Sequence, residues 1–505
     1  MSNSIVVKSA LNAAAGLSLL FVGFICSVVV ARVLGPEANG VIAFSLWLTL
    51  TASLVAELGT GVTLMRLLPQ LKGDGFSDAE RRGFAARMLR AIVASTVLFV
   101  ILYGLGMWVA EQEHWAQNAP AVVVVTGLLF FVQSIGSFSK NYLIGEQAMV
   151  TFFRMTAAAG GLQLTGVVLG TVFFGLEGAL AGYICGHIIQ FIYALNILRS
   201  RPNACGVSTR YLVNSSFLLS VEFFLNALFL TRLEFFFLQQ YQGIATVGLY
   251  AAASSLANLA IQLPVQLTGS LLPYYSEQLH QQEGDKLPAS VFEGVVRSLS
   301  YVTLPMSFGL AAIAPRLVDL VLGAEYSASG QILATLALAS PVYIFNLVCT
   351  QYLLSHDMVR QRVVILALGS GLMVACLFLL IPWLGGEGAA IARFVVFLVM
   401  SILMLRQMDV GLSARHLLLP VTRVALASVA CAVVAWLVLY ELPGVVGLIL
   451  AIVAGGATYA VSLRLFRAVP ADDRQVLERI AQRVPGSIGK RVIGFIAGGP
   501  KTAAG

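Results

Sequence analysis

The sequence predicts an all-α integral membrane protein of about fourteen transmembrane helices: two six-helix bundles in parallel repeat, plus two extra C-terminal helices. Three observations carry this reading. The chain is 58% hydrophobic and 11% charged, whereas a soluble protein carries roughly 25% charged residues, so this surface cannot be covered for water. Its apolar runs are continuous and reach the roughly 20 residues that cross the hydrocarbon as a helix. Lysine and arginine fall in every other loop, as they do when alternate loops face the cytoplasm.

The first apolar run, 9–34, closes with Arg32 and the Gly35-Pro36 break, and 39–66 follows. With its single lysine and overlong apolar stretch, the beginning reads as a retained span rather than a cleaved signal peptide. Loop 67–90, holding Lys72, Arg81, Arg82, Arg87 and Arg90, leads to 91–110, and loop 111–118, with no Lys or Arg, to 119–139. Lys140 opens loop 140–150 before 151–174, and the turn at 175–176 separates that run from 177–198. Arg199, Arg201 and Arg210 precede 212–238, and the stretch 239–245, without Lys or Arg, precedes 246–272. Lys286 and Arg297 mark 273–298 before 299–321, and 322–331 lacks Lys and Arg before 332–354. Arg360 precedes 362–382, the turn 383–387 precedes 388–405, and Arg406 and Arg415 precede 420–440. Residues 441–443 then turn into the last run, 444–466. This alternation places both ends in the cytoplasm. The basic tail, 467–505, contains "ADDRQVLERIAQRV", where Val476, Leu477, Ile480 and Val484 share a face, predicting a helix on the membrane surface.

The net charge of +7 is therefore a topology signal, not a nucleic-acid footprint. The six cysteines form no CxxC pair and most lie in apolar runs, so neither a disulfide nor a metal site is expected. There is no GxxxxGK[ST] loop, no HExxH and no large polar domain. No catalytic residue and no cofactor are predicted.

An internal duplication is visible. "FGLEGALAG" from Phe174 matches "LGGEGAAIA" from Leu384, with Gly175, Glu177 and Gly178 over Gly385, Glu387 and Gly388 at an offset of 210. "NYLIG" from Asn141 matches "QYLLS" from Gln351 at the same offset, and Gly35 and Gly40 match Gly243 and Gly248 at 208. An even number of spans separates the copies, so they run parallel, as in some transporter folds. The predicted organisation is 1–200 and 210–408 as the two bundles, 420–466 as helices 13 and 14, and the tail.

Four arginines do not obey the topology: Arg32, Arg232, Arg316 and Arg393 lie in the basic-poor halves of their helices. A charge at mid-membrane costs about 2.5–3.5 kcal/mol on insertion scales, so such residues usually face a bundle interior or a watery cavity. Arg32 is near enough to its helix end to snorkel instead. Arg316 and Asp319, three apart, can neutralise each other. Arg232 and Glu234, two apart, point in different directions on a regular helix, and Arg393 has no local acid. Glu57, Glu222 and Asp319 are the candidates for ion or proton coupling; Glu57 and Glu222 are alternatively counter-ions of arginines. His187 reads more readily as packing than as a relay, and Gly178, Gly182 and Gly186 as a close helix contact.

"ARVLGPEANGVIAF", "QQYQGIATVGLYAAASSL", "GLEGALAGY" and "GGEGAAIAR" resemble the turn regions of polysaccharide biosynthesis proteins, the lipid-linked oligosaccharide flippases. These share a superfamily with multidrug exporters and peptidoglycan-precursor flippases. The resemblance covers roughly 5–465, and its motifs are loose and glycine-driven. It implies an inner-membrane carrier of an undecaprenyl-diphosphate-linked oligosaccharide, for O-antigen, capsule or exopolysaccharide. Membrane lipids, a polysaccharide polymerase and glycosyltransferases would be its neighbours, and a monomer is the default. The four arginines would line a cationic cavity for the diphosphate, which guanidinium groups suit. The peptidoglycan-precursor flippase and the cation or drug antiporter are the alternatives.

Overall fold

The computed structural model describes residues 2–57, 59–109, 115–116, 120–208, 210–212, 224–230, 232–280, 287–408, 414–470 and 473. Among them the secondary structure is helical, without a strand. In chain order the helices are α1 (Ser2–Ala56), α2 (Thr60–Gly73), α3 (Asp78–Val109), α4 (Pro120–Gly145) and α5 (Met149–Leu198). After a π-helical turn, Leu225–Leu230, come α6 (Leu233–Gln242), α7 (Ile244–Thr268), α8 (Leu271–His280) and α9 (Ala289–Val321). The series ends with α10 (Ser327–Ser355), α11 (Val359–Gln407), α12 (Leu419–Glu441) and α13 (Val445–Leu465).

Ten helices among the described residues are long and apolar enough to cross a membrane. Three of them are too long for one crossing. At about 1.5 Å per residue a 50-residue helix such as α5 would measure about 75 Å against about 30 Å of hydrocarbon. Each breaks at a glycine: α1 at Gly35, α5 at Gly175 and α11 at Gly385. In α5 the two arms return on each other. Gly166 faces Gly182, Gly170 faces Gly178, and Gln163 faces Gly186, an antiparallel series centred on the break. In α11, Gly369 likewise meets Met400. These hairpins sit at two of the turns the sequence places, 175–176 and 383–387. Of the expected seventh span, 212–238, residues 213–223 and 231 lie outside the described residues, and so does the tail helix apart from Asp473.

The repeat is written in the backbone. Gly175 and Gly385 adopt φ 62, ψ −135 and φ 53, ψ −129. Gly35 and Gly243 adopt φ 77, ψ 178 and φ 83, ψ 172. At the 210 offset, Gln147 and Asp357 are both left-handed, with φ 59 and φ 55. The interruption between α1 and α2 also has a counterpart between α7 and α8.

The chain forms two compact units, Met1–Ser255 with Val374–Gly386, and Leu256–Met373 with Glu387–Gly505. In the first, Leu64, Leu68, Phe84, Leu89 and Phe138 form one core, and Val30, Ile42, Leu129, Val167 and Leu180 another. In the second, Leu304, Val424, Ala427 and Leu463 form one cluster and Ile313, Ala435 and Ala451 another. Large apolar side chains cover the outside, Trp383 being 88% exposed and Phe174 74%. Such a surface is solvated by lipid, not water.

Candidate functional site

In the first unit, Glu57 occupies a helix interruption. The run 39–66 reads as one span, but α1 stops at Ala56 and α2 starts at Thr60, with Gly59 left-handed at φ 66. The freed ends are covered locally: the Thr60 hydroxyl donates to the Glu57 carbonyl at 2.6 Å, and Ser95 to that of Ala56 at 2.6 Å. Ser137 of α4 donates to the Glu57 carboxylate. The cation within its electrostatic reach is Lys140, also on α4. His187 on α5 lies within electrostatic reach of Lys140 and beside Gln190. The sequence offered an arginine as one counter-ion for Glu57; the neighbour here is a lysine that the sequence assigned to a loop, because α4 runs on to Gly145.

The second centre is Arg232. On a continuous helix it would diverge from Glu234, yet the two interact electrostatically. The reason is that the helix is not continuous: Arg232 stands outside α6 as its N-cap residue, at φ −140, ψ −14. Glu234 is fully buried in the first turn of α6 and accepts from the Tyr250 hydroxyl of α7 at 3.4 Å. Arg32, in the first arm of α1, is exposed.

The second unit holds the other two arginines. Arg316 is exposed on α9, and Asp319 accepts from the Ser327 hydroxyl at 2.8 Å. Arg393, on the second arm of α11, is half-buried and within electrostatic reach of Tyr343 of α10. The Tyr343 ring tilts against Phe397, 5.0 Å between centroids. Glu222 lies outside the described residues. Thus Arg232 gains a carboxylate neighbour, Arg393 a phenol, and Glu57 an ammonium.

Two buried cations were not visible in the sequence. Arg81, 4% exposed, is bidentate to Glu146 at 2.9 and 3.0 Å and also bonds Asp78 and the Phe76 carbonyl. Arg297 is bidentate to Asp473 at 3.0 and 2.8 Å, bonds the His416 carbonyl at 2.9 Å, and shares Asp473 with the Tyr301 hydroxyl. Both look like topology residues from position alone. Among the described residues no cluster of His, Cys, Asp and Glu is suited to a metal. A cavity of about 280 Å³ in the first unit, lined by Leu48, Ala52, Phe99, Tyr103 and Phe130, is apolar and includes none of these charged groups.

Long apolar helices, glycine-broken hairpins and a parallel repeat define a multi-pass membrane protein with a transporter fold. Residues 29–331 match the model of the polysaccharide biosynthesis protein family, and the chain belongs to that family. It is 22% identical over 325 residues to the succinoglycan biosynthesis transport protein ExoT of Rhizobium meliloti (strain 1021), the match spanning 63% of each chain. Among solved structures it is similar to the lipid II flippase MurJ in an inward closed conformation, with TM-score 0.72 and 13% identity. That likeness covers 91% of this chain and 98% of the other. An inward-facing multidrug resistance transporter of the MATE family, within the MOP superfamily, aligns with TM-score 0.58 and 13% identity, covering 78% and 97%. At these identities the structural likeness speaks for the fold.

Proposed function

We propose that this protein moves an undecaprenyl-diphosphate-linked oligosaccharide repeat unit from the inner to the outer leaflet of the bacterial inner membrane. It works as a secondary transporter by alternating access, both termini lie in the cytoplasm, and no chemistry is performed on the cargo. The cargo passes from the glycosyltransferases that build it to the polymerase that extends it. The observation that carries the reading is the presence of Arg32, Arg232, Arg316 and Arg393 in basic-poor helix halves of a chain in the polysaccharide biosynthesis family. A diphosphate leaving water needs cationic hydrogen-bond donors, and guanidinium forks supply two parallel bonds each. Arg393, held beside Tyr343, is the residue most directly testable. Glu57 and Asp319, with Glu222, are the acids through which an ion gradient would act.

The test is complementation of a deletion strain. Arg393→Ala at normal membrane level is expected to lose most surface polysaccharide, with Arg393→Lys intermediate. Undiminished glycan in Arg393→Ala would remove the headgroup role. Rescue of a strain depleted of its lipid II flippase, with no effect on surface glycan, would transfer the reading to peptidoglycan precursor.

A further inference from the structure

In the first unit the second arm of α1 does not fill the space against α3 and α4, and an apolar cavity of about 280 Å³ remains between them. Small residues leave it open: Thr49 and Ala52 on α1, Thr126 and Gly127 on α4. Tyr103 of α3 forms one wall. Its hydroxyl donates to the Val123 carbonyl at 3.0 Å, and its ring lies 3.3 Å from where a Cβ on Gly127 would stand. Glycine at 127 therefore seats the ring, which a larger residue would push aside.

The walls decide what can enter. Thr49 donates to the Leu46 carbonyl at 3.0 Å, so its hydroxyl, like that of Tyr103, is spent within the protein. Of the lining hydroxyls, Thr126 Oγ1 alone lacks a partner among the described residues. A buried water needs two to four polar partners, whereas apolar cavities of even about 150 Å³ stay dry and take a hydrocarbon such as benzene. Such walls suit hydrocarbon and not water. The lining runs from Phe130, 4% exposed, to Leu102, 51% exposed, so the pocket reaches the outer surface of α3. Beside Leu102 on α3, Leu98, Ile101 and Leu105 are each more than half exposed. The pocket is thus continuous with the surface that lipid solvates. Tyr103 and Thr126 stand about 9 Å along their helices from the ends at Val109 and Pro120, and Phe99 and Phe130 about 15 Å. One leaflet's hydrocarbon is about 15 Å deep, so the pocket opens among acyl chains. Phospholipid is the hydrocarbon always present at that mouth, with or without cargo.

We infer that this pocket is a lipid-chain site: one acyl chain of a phospholipid, from the leaflet next to the α3–α4 turn, inserts between α1, α3 and α4 and completes the packing of the first unit. The chain enters past Leu102 and ends against Phe130, while its headgroup stays at the membrane surface. The site is independent of the cargo.

The test uses the full-length protein in proteoliposomes of phosphatidylethanolamine and phosphatidylglycerol, doped with a phosphatidylethanolamine that carries a diazirine at the middle of one acyl chain. After irradiation, mass spectrometry locates the adducts. Phe99, Tyr103 and Phe130 are expected to be labelled, Phe130 in spite of its burial, while a lipid with the diazirine beside its ester leaves Phe130 unlabelled. Ala52→Phe, which fills the pocket, is expected to cut labelling of Phe130 about tenfold, as keeping roughly two methylenes from burial would. Adducts on Val453 of α13, 63% exposed on the lipid face, should stay unchanged. Thr126→Val, which keeps the shape and removes the unpartnered hydroxyl, is expected to raise the labelling, and it serves if Ala52→Phe folds poorly. No adduct at Phe130, or labelling there indifferent to both substitutions, would overturn the site. A fall in Thr126→Val would mean that a polar occupant bonds the hydroxyl, and would overturn the hydrocarbon assignment. Labelling by a diazirine-bearing polyprenyl phosphate and not by the phospholipid would overturn the acyl-chain source.

Discussion

Gly175 and Gly385 share a backbone conformation, φ 62, ψ −135 and φ 53, ψ −129, that a side chain rarely tolerates. They lie 210 apart and each turns one long apolar helix into two membrane crossings. Replacing either by alanine forces an L-residue into a glycine region at about 1–3 kcal/mol. Gly385→Ala and Gly175→Ala should each lower the melting temperature in detergent, while Gly371→Ala, in an open helical position, should not. Equal melting points for all three would mean that the breaks are not needed at these residues.

The Arg81–Glu146 pair fastens the start of α3 to the turn after α4. Removing one partner of a buried ion pair costs about 3–5 kcal/mol, and Arg81→Ala should fall at the low end, because Glu146 keeps 14% of its side chain exposed. Glu146→Gln, which retains one acceptor, should cost less. The unfolding midpoints of the purified variants give the order directly, and an Arg81→Ala as stable as the parent would contradict it.

Arg297 and Asp473 fix where the tail leaves the last helix. The guanidinium also holds the His416 carbonyl ahead of α12, and Tyr459 donates to the Tyr301 carbonyl at 2.8 Å, so one polar knot joins α9, α12, α13 and the tail. Arg297→Ala should free the tail, and trypsin should cut beyond Asp473 faster than in the parent. The reversed pair, Arg297→Asp with Asp473→Arg, should recover part of the protection. Unchanged cleavage in Arg297→Ala would show that the apolar contacts of Ala468 and Val469 suffice.

Cys205 sits in the loop after α5, 6% exposed, with its thiol directed at the Glu80 carbonyl at 3.5 Å. Burial, followed by the nearby Glu80 carboxylate, pushes its pKa above the ordinary thiol value. Less thiolate is then present at a given pH, so alkylation should be slower in the folded protein than after denaturation, with its pH profile displaced upward. A native rate equal to the denatured one would contradict the burial.

Much of this fold is legible in the sequence because membrane solvation leaves a coarse signal. The glycines at 35, 175, 243 and 385 stood out between apolar runs, and their matched torsions bear out the repeat. What the sequence concealed depends on partners far along the chain. Arg81 and Glu146 are separated by 65 residues, Arg297 and Asp473 by 176, and the rule that counts basic residues per loop does not see pairing. The break at Glu57 was hidden for a different reason: the residues on both sides are apolar, so hydropathy runs smoothly through it. The same holds for Arg232, whose unwound backbone brings it to Glu234 against the helical spacing.

The most direct measurement is reorientation in proteoliposomes of a labelled polyprenyl-diphosphate oligosaccharide, read by an impermeant reagent that reaches the outer leaflet alone. The account predicts protein-dependent movement of the label, reduced in Arg393→Ala and Arg232→Ala, with a phospholipid probe left in place. Equal movement of both lipids, or none above empty vesicles, would contradict it.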